Sequence, residues 1–305
     1  MKFTFKFKTI LISFIVFLIF LISILILCSK SIKFDIKESS APMQLQDEFA
    51  ADLTGDGINE VIKIISSKGK GDVQITTSEN TILLSSLSSS NYLSDVSDSY
   101  SMNVVISNIS RDNKNEIIVQ GYKNNEPINY LFSFEKNKFT LKTSSNNDVL
   151  GIIDSNMNRT PMLQSFNHRD IKDSFENYML LNNDLTNISN NSFLDLGYIN
   201  TVKFIDLILI DYEVSELPNI FTEDIDKDTL SILWQLDKDS FEYNFKDAFF
   251  YDNIIDNDGN LNEINMILKF EKIQRSTSRK IPFIINLDIS NINNESFKIS
   301  NISTN

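Results

Sequence analysis

The sequence predicts an all-β protein, a propeller-like array of about five degenerate blades preceded by one transmembrane helix, and three observations carry that prediction. Residues Thr9 to Leu27 form a single uncharged apolar run. Almost every later apolar run is short, rich in β-branched or aromatic residues, and bounded by Ser, Asn, Asp or Gly, which is the pattern of strands. An oxygen-rich loop, Asp52-Leu53-Thr54-Gly55-Asp56-Gly57-Ile58-Asn59-Glu60, recurs at blade-like intervals.

At a rise of 1.5 Å per residue the first run reaches about 28 Å, close to the roughly 30 Å hydrocarbon core of a bilayer. Lys2, Lys6 and Lys8 precede it with no acidic residue among them, which places the N-terminus in the cytoplasm and the rest outside. The expected organisation is a cytoplasmic segment 1–8, a signal-anchor helix 9–28, a linker or closing strand 29–45, and an extracytoplasmic domain 46–305 of a single-pass cell-membrane protein. A cleaved signal peptide is the main rival, but its apolar region is usually about 7 to 15 residues long and followed by small residues. Only Ser29-Lys30-Ser31 offers those here, with a lysine between them. Cys28 follows Ile26 and Leu27, so it lacks the small residue that lipoprotein processing needs. It is the only cysteine, so the exported part has no internal disulfide and relies on its core and on bound metal.

The strands are expected at Val61 to Ile65, Val73 to Thr77, Thr81 to Leu84, Ile117 to Gln120, Tyr130 to Phe134, Phe139 to Lys142, Phe204 to Ile210, Ile264 to Phe270 and Ile281 to Asp288. Only Asp170 to Leu181 and Asp228 to Leu236 carry a helical rhythm. The heavy use of Asn, Ser, Ile and Lys looks low in complexity, yet the regular apolar runs argue against disorder.

The loop at 52–60 sets oxygen side chains at alternate positions around a Gly-permitted bend. Calcium is a hard cation taking six to eight oxygens at about 2.3 to 2.6 Å, and Asp52, Thr54, Asp56 and Glu60 with the Ile58 carbonyl would supply that set. A plain Asp-Gly hairpin turn favours the same residues, but three carboxylates exceed what a turn needs and would repel one another. A second copy aligns without a gap and places Asn108, Ser110, Asp112 and Glu116 on Asp52, Thr54, Asp56 and Glu60. A third keeps Asp154, Asn156 and Asn158 but has Met162 in place of the terminal carboxylate, so it keeps the turn and loses the ion. The fourth survives only as a strand, Asp206 to Ile210. The fifth, with Asp256, Asp258, Asn260 and Glu263, needs a one-residue insertion. The closing positions 60, 116, 162, 206 and 263 are spaced by 56, 46, 44 and 57 residues, near the length of a four-stranded blade. Ile32 to Ile36 would add a strand to the last unit and close the ring.

The run Ala50 to Ile62 resembles the FG-GAP or VCBS repeat. That resemblance implies a β-propeller like the head of integrin alpha subunits, with calcium held in a hairpin loop between strands. The first copy matches over about 15 residues and the second less closely, while only period and strand pattern extend it over the rest of the chain. The chain has only 8 glycines, and the Phe-Gly and Gly-Ala-Pro signatures are missing. An EF-hand or dockerin-type loop would need an acid at position 12 counted from Asp52, and Lys63 stands there.

Charge narrows the partners. Without Lys2, Lys6, Lys8 and Lys30, the 28 basic residues fall to 24 against 41 acidic ones, so the exported part carries about −17. Nucleic acid and anionic headgroups are disfavoured by that field, whereas calcium, cationic proteins and neutral glycans are compatible with it. No catalytic set emerges: His168 is the only histidine and is read as a turn residue, and the single tryptophan, Trp234, as a core residue. The leading expectation is a membrane-anchored binding module for a protein or glycan, with structural calcium. A surface polysaccharide hydrolase using paired carboxylates, and an accessory subunit of a membrane sensor or envelope assembly, are the alternatives.

Overall fold

A computed structural model describes residues 43–44, 48–154, 160–189, 193–210, 216–255, 259–292 and 296–304. The expected cytoplasmic segment, signal anchor and closing strand at 32–36 lie outside these residues, as do Asn156, Asn158, Asp256 and Asp258. Among the described residues, no helix is long and apolar enough to cross a membrane.

The chain is mostly β-sheet, in two sheets of ten and eight strands, neither closed into a barrel. In chain order the first sheet holds β1 (Met43–Gln44), β2 (Glu48–Ala51), β3 (Glu60–Ser67), β4 (Lys70–Thr76), β5 (Thr81–Leu83), β6 (Ser94–Asp95), β7 (Asn103–Ser107), β8 (Glu116–Lys123), β9 (Glu126–Glu135) and β10 (Lys138–Ser145). The second holds β11 (Val149–Ile153), β12 (Met162–Phe166), β13 (Glu176–Leu181), β14 (Asp184–Asn187), β15 (Phe241–Ile255), β16 (Leu261–Gln274), β17 (Lys280–Ile292) and β18 (Ser296–Thr304). Helix α1 (Ile171–Ser174) precedes β13, and α2 (Tyr198–Leu209) and α3 (Lys227–Trp234) lie between β14 and β15.

Sixteen of the eighteen strands form four antiparallel meanders of four strands each, β2 to β5, β7 to β10, β11 to β14 and β15 to β18, while β1 pairs with β7 and β6 bridges β4 and β8. Parallel pairing of β11 with β15 joins the last two. Four hairpins turn through two residues that both have positive φ, the signature of type I′ turns: Lys68-Gly69, Asn124-Asn125, Lys136-Asn137 and Asn182-Asn183. Asn tolerates that region because its short polar side chain bonds locally, so these turns set the register of the strands they join.

Three corrections to the sequence reading follow. The expected strand Phe204 to Ile210, the fourth unit, is instead the C-terminal part of α2, which buries Tyr198, Thr201, Phe204, Ile205, Leu207 and Ile208. The described residues therefore show four meanders where five units were expected. Helix rhythm at Asp170 to Leu181 is realised only in α1, after which the chain extends into β13, whose residues pair with β12.

Each sheet has its own apolar core. One is built around Ile62, Val73, Val104, Val119 and Phe132, and the other around Phe166, Tyr198, Phe250, Phe270 and Leu287. Between them Val105, Ile118 and Leu131 of the first sheet pack on Leu150, Ile152, Leu163 and Phe249 of the second. At about 25 cal/mol per Å² of apolar area, such a contact holds the sheets face to face.

Candidate functional site

The oxygen-rich loops sit in the first hairpin of successive meanders, and three of them close in the same register. Their flanking pairs are Ala51 with Glu60, Ser107 with Glu116, and Ile153 with Met162. The spacing that aligned the copies is therefore the spacing of the hairpins.

Inside the first loop, Glu60 is 4% exposed, and its Oε2 accepts from the N–H of Leu53 at 2.7 Å and of Thr54 at 3.2 Å. Asp52 accepts from Gly55 N–H at 2.6 Å and Gly57 N–H at 2.9 Å, and Asp56 from Ile58 N–H at 2.8 Å. The second loop repeats this wiring. Glu116 Oε2 accepts from Ile109 N–H at 2.9 Å and Ser110 N–H at 3.2 Å, and Asp112 Oδ1 from Lys114 N–H at 2.8 Å. These charge-assisted bonds satisfy the backbone donors that a tight loop exposes. Burial pushes the Glu116 carboxyl up to about 7, against the hydrogen bonds from Ser110 and Ile109 that favour its charged form.

The loops also touch one another. Asn115 Nδ2 donates to the Asp52 carbonyl at 2.8 Å, and Lys114 packs its stem on Gly55, where a Cβ would stand 2.9 Å from Lys114 Cγ. Arg111 of the second loop forms an ion pair with Asp154 of the third, and the Asp154 N–H donates to Asp252 Oδ2 on β15 at 2.8 Å. The first two loops and Asp154 at the start of the third are therefore neighbours.

Fit to a hard cation differs from loop to loop. The first offers oxygen donors only, three of them carboxylates, and each carboxylate keeps lone pairs beyond those taken by the loop amides. In the second, Asn108 turns its amide nitrogen to the Asp112 carbonyl, and its Oδ1 is buried with no hydrogen-bond partner, the kind of orphaned oxygen an ion or water would satisfy. Lys114 Nζ already stands 3.6 Å from Asp112 Oδ2. The third has a guanidinium against its first carboxylate. In the last hairpin Glu263 does not close the loop: it lies within β16, opposite Ser290, and accepts from Asn253 Nδ2 at 2.7 Å. Of that set, Asn260 is described and lies in the turn before β16. Among the described residues, no three His, Cys, Asp or Glu side chains are gathered as a metal-binding group.

A second polar cluster, which the sequence did not reveal, joins the two sheets. Tyr100 Oη donates to Asp247 Oδ2 at 2.6 Å, and Ser99 Oγ to Glu271 Oε1 at 2.6 Å. A β-bulge at Lys246 interrupts β15 here and sets its ammonium over the Tyr122 ring at 3.8 Å. Burial pushes the Asp247 carboxyl up. Burial acts the same way on Glu271, but Ser99, Lys246 and Lys280 outweigh it and hold that carboxyl below its ordinary value. Such divergence is what an acid and base pair requires, but Asp247 is 1% and Glu271 4% exposed, so the cluster locks sheets rather than facing a cleft. His168 occupies the turn Asn167 to Asp170 as expected, and has one placed partner, Asp148 Oδ2 at 2.5 Å from Nδ1. Trp234 corrects the core expectation: it is 58% exposed at the end of α3, while Leu230 and Leu233 pack inward.

No protein-family model matches this chain, and no curated protein matches it.

Proposed function

We propose that this chain is an extracytoplasmic binding module, a propeller-type β domain held behind a single-span anchor at 9–28, which recognises a protein or glycan. The observation that carries the reading is the set of four-stranded meanders, three of whose first hairpins close in a shared register, with contacts linking the first loop to the second and the second to Asp154 of the third. A repeated hairpin scaffold with polar loops at one end is a common way to hold recognition surfaces rigid. Calcium would be held by Asp52, Thr54, Asp56, Glu60 and the Ile58 carbonyl in the first loop, and by Asn108, Ser110, Asp112 and Glu116 in the second. When bound, it would neutralise clustered carboxylates and stiffen the hairpin.

For an extracellular module the dissociation constant should be on the order of 10⁻⁴ to 10⁻³ M. Binding to the folded state alone then stabilises it by about 1.4 to 2.7 kcal/mol at about 10 mM calcium. In a domain of this size that is a rise of roughly 3 to 8 °C in melting temperature between chelator and calcium. Asp52→Asn with Glu60→Gln should remove most of the rise. An identical melting temperature in both buffers defeats the calcium reading.

A further inference from the structure

We propose that a crevice between the two sheets binds a primary ammonium group on a hydrocarbon stem, with Glu176 as its counter-charge. The apolar wall comes from both sheets, Ile118 of β8 and Leu131 of β9 with Leu150 of β11 and Leu163 of β12. The polar lining includes the hydroxyls of Thr143, Ser145, Ser165 and Tyr178 and one carboxylate, that of Glu176 on β13. Among the described residues no Lys, Arg or His lines it. The crevice holds about 290 Å³ of atom-free space, part of it open to solvent, and its closed part has room for about one water-sized group.

Charge, size and wall chemistry together select the ligand. Glu176 Oε2 accepts from two neutral donors, Ser165 Oγ at 3.2 Å and Asn147 Nδ2 at 3.4 Å, which hold the carboxylate in place without cancelling its charge. Lys142, the residue before Thr143, is engaged by Glu135 Oε1 at 3.2 Å and by the Asn183 carbonyl at 2.5 Å. Burial, and then the Glu176 charge, raise the Tyr178 hydroxyl above its ordinary value, so that charge is felt within the crevice. Asn129, 4% exposed, donates Nδ2 to the Asn147 carbonyl at 2.6 Å and keeps Oδ1 buried with no hydrogen-bond partner, a further acceptor that a ligand's donor would satisfy. A bare hard cation would need six or more oxygens, and much of this wall is carbon. A guanidinium is a planar fork too wide for a water-sized space. A primary ammonium is compact, carries three donors for these oxygens, and trails a stem suited to Leu131, Leu150 and Leu163.

Two sources carry such a group, a free amine and a lysine side chain of a protein partner; the second rests on the binding-module reading, and neither rests on calcium. The full chain, in neutral detergent and chelator near neutral pH, would be titrated with n-butylammonium, N-acetyl-lysine amide, n-butanol and butyrate and followed by ligand-observed NMR. We expect saturable binding of n-butylammonium and none of butyrate. Binding of N-acetyl-lysine amide as well supports the site with a protein as its source, and binding of the alkylamine alone supports it with a small molecule. Glu176→Gln keeps the shape and removes the charge, and should weaken n-butylammonium by about ten- to a hundredfold. Thr143→Phe fills the crevice and leaves the carboxylate intact, and should abolish binding; melting curves report that each variant folds. No saturable binding at millimolar amine, butanol or butyrate bound as tightly as the amine, or wild-type affinity in either folded variant would each overturn the proposal. Amine binding in a protein whose melting temperature ignores calcium would defeat the calcium reading and leave this site standing, whereas a normal calcium response without amine binding would overturn the site alone.

Discussion

Replacing Tyr100 by Phe deletes one hydroxyl from the polar cluster joining the sheets and leaves the ring in place. That hydroxyl donates to Asp247 Oδ2 at 2.6 Å, between residues 7% and 1% exposed, and Asp247 Oδ1 is buried without a hydrogen-bond partner. The variant thus strands a buried carboxyl with neither oxygen paired. A hydrogen bond to a charged group contributes about 1.5 to 3 kcal/mol, and a stranded acceptor costs a similar amount, so a loss of about 2 to 3 kcal/mol is expected. In a domain of this size that lowers the melting temperature by roughly 4 to 10 °C.

The pH dependence follows from the direction of the Asp247 shift. Burial raises its folded value above the ordinary one, so its contribution is fully present below the unfolded value of 3.8 and is lost as pH rises through the raised folded value. The Tyr100 hydroxyl opposes that rise by favouring the charged form, so the variant should fall further behind the wild type as pH increases. Urea unfolding between pH 4 and 8, with Asp247→Asn and the double variant completing a cycle, measures both effects. A gap below about 0.5 kcal/mol at pH 8, or one that does not change with pH, refutes the argument, since exposed bonds of no consequence behave that way.

Two further substitutions probe packing. Gly151 lies in β11 where a Cβ would stand 2.3 Å from the Phe250 ring carbons across the parallel pair, so Gly151→Ala should cost about 3 kcal/mol in urea unfolding. Trp234→Ala should change stability by less than about 0.5 kcal/mol by the same measurement, because the ring is mostly in solvent, and a larger loss would restore the core role.

What could be read from the chain was local. The oxygen spacing of the first two loops is also the spacing of their hairpins, and the expected strands Val61 to Ile65 and Ile117 to Gln120 that follow them lie in β3 and β8. Turns such as Asn124-Asn125 likewise act within a few residues. What escaped the reading acts over distance or depends on the window chosen. The run Phe204 to Ile210 is continuously apolar and short, which strand and buried helix share. Only by starting at Tyr198 does the spacing Tyr198, Thr201, Ile205, Ile208 show a helical face. The longest strand, β15, was missed because Lys246 and Asp247 interrupt its aromatic alternation, and that interruption is the bulge that builds the inter-sheet cluster. Tyr100 and Asp247 are 147 residues apart, and no spacing rule joins them.

The loops separate two roles that the sequence presents together. In sequence, 52–60 has three acids and no base, 108–116 has Asp112 and Glu116 alongside Arg111 and Lys114, and 154–162 has Asp154 alongside Arg159. The register nevertheless stays the same in all three. That shared register goes with contacts inside the protein, the carboxylate–amide bonds of the first two loops and the Arg111–Asp154 pair among them. The first loop holds three acids and no base of its own, and its carboxylates accept hydrogen bonds from the loop amides. It is therefore where a change in solution calcium should alter the molecule most. Its contacts with Asn115 and Lys114 are the route by which that change would reach the second loop.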